Sequence, residues 1–300
     1  MYNIAILIPV FNKLEYTKRC IAQLSEFRID PELQHSCLSI VLIDDGSSDG
    51  TSEWVRKQHP EVHLLEGDGT LWWSGGINMG AKYAIETLKA DFLLLWNNDI
   101  QVAADYFKKL DLLLPDLAKD TVVGSKVYEA IGSDIIWAFG GYFNAKTGTN
   151  YMIGTRQKDG EAYMSAREVD WIPGMGTMFP VAVVQKIGFW NDEDFPQYYG
   201  DSDYTLRAKK AGYHNIVYPQ LRIWNDNSST GLTHQGSFRG LCRTLTDMKS
   251  SSKLSTNIRF YRLHATSPLA YQRLIAHYFK MIGGFFKWKI LAMFGMKKKR

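Results

Sequence analysis

Three polar clusters in this 300-residue chain each follow an apolar run or open a helix, and each holds one or more carboxylates placed where they could do chemistry. The first, Asp44-Asp45-Gly46-Ser47-Ser48-Asp49-Gly50-Thr51, comes directly after the apolar stretch 38–43. Two carboxylates at a strand end are costly to bury unless they meet donors. The ribose hydroxyls and base N–H of a nucleotide would supply them, and so would the backbone of a helix-entry turn, which favours Ser, Asp and Gly. The second cluster, Trp96-Asn97-Asn98-Asp99, ends the run 92–95. Extended backbone would send Asn97 and Asp99 to one side as an oxygen pair suited to Mg²⁺ or Mn²⁺. A plain polar turn would use the same residues. The third is Asp201-Ser202-Asp203, at the start of a helix that Gly212 ends. The helix dipole favours carboxylates in a first turn, which accounts for one aspartate better than for an aromatic-lined pair. The chain offers no Ser/His/Asp or Cys/His set for nucleophilic catalysis.

These clusters must be positioned by a framework, and the apolar periodicity supplies one. Buried strands are predicted over 4–9, 38–43, 62–65, 92–99 and 121–124, with helices over 15–27, about 52–59, up to 88 and about 105–114. Alternation of strand and helix with apolar, non-alternating strands predicts an α/β fold with parallel strands, whose carboxyl ends are where ligands bind. Residues 67–80 hold five glycines in fourteen positions and read as a loop leading into a helix. They permit close backbone approach, but no phosphate-loop or dinucleotide fingerprint is present.

Beyond residue 125 the pattern changes to short antiparallel strands over 135–139, 140–143 and 150–153, followed by an exposed loop over 155–167. Residues 169–179 return to the core, 181–187 form a short helix, and 216–219 and 221–224 read as two strands. The expected organisation is a catalytic domain over 1–237, with a nucleotide-binding half to about 124 and an acceptor-binding half over 125–237, then a basic helical region over 238–300.

Charge divides the chain in the same way. The net charge of +4 conceals fourteen Lys/Arg against one acid, Asp247, from Arg239 to Arg300, so the rest is acidic. Residues 269–296 carry bulky apolar side chains punctuated by Arg273, Lys280, Lys287 and Lys289 and end in Lys297-Lys298-Lys299-Arg300. Such a helix lies in an anionic membrane interface; packing on the body or on a partner chain, as in an oligomer, is the other reading. No 18-residue apolar run predicts a spanning helix, the start lacks a basic leader region, and three scattered cysteines fit a reducing compartment. A peripheral position on a membrane surface facing a reducing compartment is expected, with no nucleic-acid partner.

Five stretches in order, Ile8 to Asn12, Asp44 to Thr51, Gly75 to Gly80, Leu94 to Asp99 and Asp201 to Gly212, resemble the inverting glycosyltransferases of family 2, which have the GT-A fold. Their style is similar to bacterial rhamnosyl- and galactofuranosyltransferases of surface polysaccharide synthesis, O-antigen included. The resemblance implies one Rossmann-like, mostly parallel sheet with helices on both faces, a small antiparallel sheet on the acceptor side, and C-terminal amphipathic helices. It implies transfer from a nucleoside diphosphate sugar to a glycan or polyprenyl-linked hydroxyl, on the cytoplasmic face of a bacterial inner membrane. Pro9, Phe11, Asp44, Asp45, Gly75, Gly76, Asn78, Asn97 and Asn98 would bind the nucleotide sugar, and Asp99 would bind Mg²⁺ or Mn²⁺. Asp201 would be the base, with Asp203 beside it, and Trp171, Gly174, Gly176 and Thr177 would border the acceptor. Two departures stand out: Asn97 replaces a carboxylate, and Asn225 stands where the family often has a metal-binding His, leaving Asp226 or His234 to substitute. A sugar nucleotidyltransferase would want basic residues in a glycine-rich first loop, where 9–13 offers one lysine. A binding module without turnover would not need both Asp99 and Asp201.

Overall fold

The computed structural model describes residues 1–226 and 237–293, apart from the side chain of Ala292. In chain order the first half runs β1 (Tyr2–Val10), α1 (Leu14–Arg28), β2 (Ser36–Asp44), α2 (Thr51–Gln58), β3 (His63–Glu66), α3 (Trp72–Glu86) and β4 (Phe92–Leu95). There follow β5 (Ile100–Val102), α4 (Tyr106–Leu113), β6 (Thr121–Tyr128), β7 (Ile135–Ala138), β8 (Gly141–Asn144), β9 (Thr149–Met152), β10 (Gln157–Lys158) and β11 (Arg167–Glu168). The remainder is β12 (Thr177–Pro180), α5 (Val181–Ile187), α6 (Gly200–Lys210), β13 (His214–Asn225), α7 (Phe238–Thr246), α8 (Leu254–His264) and α9 (Pro268–Met293).

The expected large sheet forms, with its longest registers parallel. β1 pairs with β2 and β4, and β2 with β3, all parallel. β1 shows why a continuous apolar run is needed there. Ile4, Ile6 and Ile8 enter one core with Cys20, Ile21 and Leu24 of α1, while Ala5 and Leu7 enter the other with Ile77, Ala81 and Ala84 of α3. Side chains alternate across a strand, so a sheet covered on both faces needs apolar residues at every position. β12 then joins antiparallel to β4, and β6 antiparallel to β12. β13 runs parallel to β6 and closes antiparallel on β5, which puts residues 225 and 226 beside the carboxyl end of β4. β8 and β9 form a separate two-stranded sheet.

Three local expectations need correction. The strand predicted over 92–99 stops at Leu95, because buried Trp96 turns into an aromatic cluster with Tyr106 and Phe107 and the chain bends at once into β5. The stretch 67–80 is a loop only to Leu71; Gly75, Gly76 and Gly80 lie inside α3. Their purpose is close packing: a Cβ at Gly76 would sit 2.9 Å from Pro9 Cβ, and one at Gly80 2.8 Å from Ile43 Cδ1. The two strands predicted over 216–224 are one strand, β13, whose register shifts between Tyr218 and Arg222, around Pro219, a residue that cannot donate to a ladder.

The chain divides into two compact units, 1–142 with 151–230, and 143–150 with 231–300. The second unit therefore includes the tip of the β8–β9 hairpin, which sits among its helices. Phe143 meets Phe260 edge-on at 5.4 Å, Tyr261 donates to the Gly148 carbonyl at 2.7 Å, and the Thr266 N–H donates to the Ala145 carbonyl at 2.9 Å. Gly148 has φ 68° and a Cβ there would meet Tyr261 at 2.6 Å, so this tip requires glycine on both counts.

Candidate active site

At the ends of β1 and β2, the loops at 11–13, 45–50 and 67–71 are laced together by side-chain carboxylates and amides. Asp44 is 1% exposed and accepts the Ser47 N–H at 2.9 Å and the Ser52 hydroxyl. Asp45 accepts the Gly69 N–H at 2.8 Å and the Trp72 N–H at 2.9 Å, one on each oxygen. Asn12 donates its N–H to Ser47 Oγ and accepts the Ser48 N–H, and Asp49 accepts the Leu14 N–H. Burial pushes the Asp49 carboxyl up, but the Thr51 and Leu14 donors outweigh it and hold the group below the usual carboxylate value. These bonds also hold Asn12, Lys13 and Trp72 at φ 58°, 61° and 56°. The left-handed region is unfavourable for lysine and tryptophan and persists only where surroundings enforce it. Phe11, two residues beyond Pro9, is 55% exposed and leaves a large apolar ring free at this edge.

At the end of β4 the pattern is different. Asp99 Oδ1 is buried and accepts no hydrogen bond. Burial raises its carboxyl above the ordinary value; the Lys13 charge opposes the rise and the Asp226 charge adds to it. Asp226 donates its N–H to the Asp99 carbonyl at 3.1 Å and accepts the Tyr16 hydroxyl at 3.0 Å. A cavity of about 310 Å³ opens beside both aspartates, bounded also by Tyr16, Arg19, Asn98 and Gln101. Asn98 has its amide committed to Thr17 of α1 at 3.0 Å, whereas Asn97 accepts the Trp73 indole N–H at 3.4 Å.

Asp201 opens α6 after Tyr199, another non-glycine residue at positive φ (70°). Its Oδ2 accepts the Gly174 N–H at 2.9 Å and its Oδ1 the Ser202 N–H at 2.7 Å. Even so, burial wins and raises the Asp201 carboxyl. Asp203, two residues on, is fully buried and paired to Arg207 at 2.8 Å; Arg207 also holds the carbonyls of Ile187 and Phe189. That pair fastens α6 to the end of α5.

Trp73 is the residue that reading the sequence missed. A Cβ at Gly174 would lie 2.4 Å from the Trp73 ring and 3.4 Å from Asp201 Cβ, and one at Gly200 would lie 3.3 Å from the same ring. One indole thus rests on two glycine backbones beside Asp201 while its N–H reaches Asn97. The available signal was a pair of tryptophans inside a glycine-rich junction, since a large ring there needs bare backbone opposite it.

The remaining predicted residues divide between the site and its frame. Gly75 lies 3.6 Å, at its would-be Cβ, from Asp192. Asn78 bonds both the N–H and the carbonyl of Trp190 at 2.9 Å, tying α3 to that loop. Of the four predicted acceptor residues, Gly174 reaches Asp201. Trp171 is 7% exposed and stacked on Gly141; Gly176 bonds Leu95 and Ser125; buried Thr177 donates to the Pro173 carbonyl. Asn225 is buried, and His234 lies outside the described residues. Among the described residues no three His, Cys, Asp or Glu side chains converge on one point. A divalent cation fits here as a one-carboxylate site, at the unpartnered oxygen of Asp99 with Asp226 adjacent.

The model of the family described as Glycosyl transferase family 2 matches residues 5–166. The low-salt glycan biosynthesis hexosyltransferase Agl10 of Haloferax volcanii is 26% identical over 187 residues, 61% of this chain and 56% of that protein. An uncharacterized protein of Methanocaldococcus jannaschii is 27% identical over 129 residues, 42% of this chain and 52% of its own. The chain spans about half the length of these curated relatives. Among solved structures, S. aureus TarS 1-349 in complex with UDP aligns with TM-score 0.51 and 15% identity over 74% of this chain and 60% of that one. GalNAc-T7 with UDP, GalNAc and Mn²⁺ aligns with TM-score 0.58 and 12% identity over 88% and 55%. At such identities the likeness is one of fold, the GT-A fold. The matched residues run from β1 through both carboxylate-bearing strand ends, and over more than half of its length this chain belongs to glycosyltransferase family 2.

Proposed function

We propose that the protein moves a sugar, with inversion, from a nucleoside diphosphate sugar to a hydroxyl of a glycan or polyprenyl-linked acceptor in cell-surface polysaccharide synthesis. The observation that carries this reading is Asp201: a half-buried carboxylate whose proton affinity desolvation raises, aimed by the Gly174 and Ser202 N–H groups and joined through Trp73 to the end of β4. A base works best when its pKa approaches the working pH, and burial moves Asp201 that way. The acceptor hydroxyl gives its proton to Asp201 as its oxygen attacks the anomeric carbon. The bond to the diphosphate breaks on the opposite face, which inverts the centre without a protein nucleophile.

At the other edge, Phe11 and Pro9 offer the base an apolar surface. Asp44 and Asp45, buried and engaged by protein donors, would serve the donor by holding in place the loops that meet its ribose and base. Asp99, with Asp226 beside it, would hold Mg²⁺ or Mn²⁺, which neutralises charge developing on the departing diphosphate. Asp203 serves by fixing α6, and Gly174 by aiming Asp201 toward the acceptor. A lipid-linked acceptor would place the reaction at a membrane surface, on the cytoplasmic side where nucleotide sugars are made. No helix among the described residues is long and apolar enough to cross a membrane.

A donor screen with UDP-, dTDP- and GDP-sugars, read by mass spectrometry with a panel of glycan and lipid-linked acceptors, tests the reading. Transfer or slow donor hydrolysis is the expected result. Nucleotide binding with no turnover across the panel would instead make this a binding module.

A further inference from the structure

The C-terminal helix α9 has three distinct faces. Pro268–Met293 contains no Asp or Glu, and at 100° per residue its side chains sort cleanly. Ala270, Leu274, Tyr278 and Phe285 are 0–8% exposed and form the face packed in the protein. Ile275, Phe279, Phe286, Ile290 and Met293 fall within about 60° of arc on another face and are 55%, 73%, 49%, 54% and 84% exposed. Lys287, Lys280 and Arg273 follow in a row that starts about 60° beyond that stripe, and Lys289 flanks its other edge by about 40°. Arg273 also donates to Thr149 Oγ1 at 3.0 Å.

We infer that α9 lies flat on an anionic lipid surface, with Ile275, Phe279, Phe286, Ile290 and Met293 among the acyl chains and Lys280, Lys287, Arg273 and Lys289 at the phosphates. An exposed apolar stripe this long, about 27 Å from Ile275 to Met293 at 1.5 Å per residue, needs a cover. The charge pattern selects it. A second copy seated on the stripe would bring cation rows against cation rows with no carboxylate from Pro268 to Met293 to separate them, which penalises that pairing. A bilayer of anionic headgroups satisfies the apolar stripe and both cationic flanks together, since lysine stems reach up to the phosphates along apolar surface. The Lys297-Lys298-Lys299-Arg300 sequence adds charge of the same sign. This inference names the contact face for the membrane-surface part of the reading above and is independent of the chemistry at Asp201.

The test is co-sedimentation of the full chain with vesicles of phosphatidylglycerol and phosphatidylethanolamine, and with phosphatidylcholine alone. Phe279→Ser with Phe286→Ser should lower partitioning onto anionic vesicles by tenfold or more. Lys280→Gln with Lys287→Gln should weaken binding to anionic vesicles and reduce its salt dependence, with little change on neutral ones. Nucleotide-sugar hydrolysis in solution should be unaltered in both pairs, so that a failure here is separable from a failure of the transferase reading. Unchanged sedimentation of the Phe279→Ser, Phe286→Ser protein overturns the inference, and so does its conversion from dimer to monomer by light scattering with vesicle binding intact.

Discussion

The two carboxylate-bearing edges of the sheet are built on opposite plans. At the end of β2, Asp44 and Asp45 are buried and matched to donors from Ser47, Ser52, Gly69 and Trp72. At the end of β4 and the start of α6, Asp99 keeps an unpartnered oxygen, and burial raises the carboxyls of both Asp99 and Asp201. The first edge is at rest as a shaped receptacle. The second holds charge at a cost to the fold, as groups that bind a cation or take a proton commonly do. On the proposed reading, ligand shape belongs to the first edge and chemistry to the second.

Substitutions that break this contrast should have unequal effects. Asp201→Asn should cost about 10³-fold in turnover, in the range of general base catalysis. Asp99→Asn should cost on the order of 10²-fold and abolish any stimulation by Mg²⁺ or Mn²⁺, measured as initial rates against metal concentration. Asp45→Ala leaves the Gly69 and Trp72 N–H groups without their acceptor. It should lower stability by about 2 kcal/mol in denaturant titration and weaken donor binding with it. Trp73→Phe keeps the ring against Gly174 and Gly200 but removes the bond to Asn97; about a fivefold loss of turnover with near-native stability is expected.

Stability against pH separates the edges without any substrate. Asp99 and Asp201 have folded pKa values above the ordinary 3.8. Their contribution to stability is therefore present below pH 3.8 and is lost as pH rises through the raised folded values. Asp201→Asn removes that charge but leaves one of the Gly174 and Ser202 N–H groups facing an amide, so the melting temperature of the variant relative to wild type should rise with pH, by a difference most favourable to the variant at neutral pH. A difference that does not change with pH would mean that the fold does not raise the Asp201 carboxyl.

Much of this was legible in the sequence because the central strands are buried on both faces. Residues 4–9 and 38–43 read as strands, as did 92–95 within a strand drawn four residues too long, and the polar clusters at their ends marked the edge where a ligand is expected. What escaped depended on partners distant in the chain. Nothing near Asn78 or Asn98 reveals that Trp190 and Thr17 occupy their amides. Gly75, Gly76 and Gly80 read as loop because glycine is a poor helix former; their helical role is visible only once Pro9 and Ile43 lie opposite. Residues 143–150 read as part of the middle portion, yet their partners, Phe260, Tyr261 and Thr266, are more than a hundred positions away.

The division of labour is tested most directly by calorimetric donor binding and transfer rate measured side by side for the Asp201→Asn and Asp45→Asn proteins. The expected result is a split: Asp201→Asn binds the donor like wild type and turns over about 10³-fold more slowly, while Asp45→Asn binds it weakly and keeps turnover at saturating donor. Equal loss of binding and turnover in Asp201→Asn would contradict it.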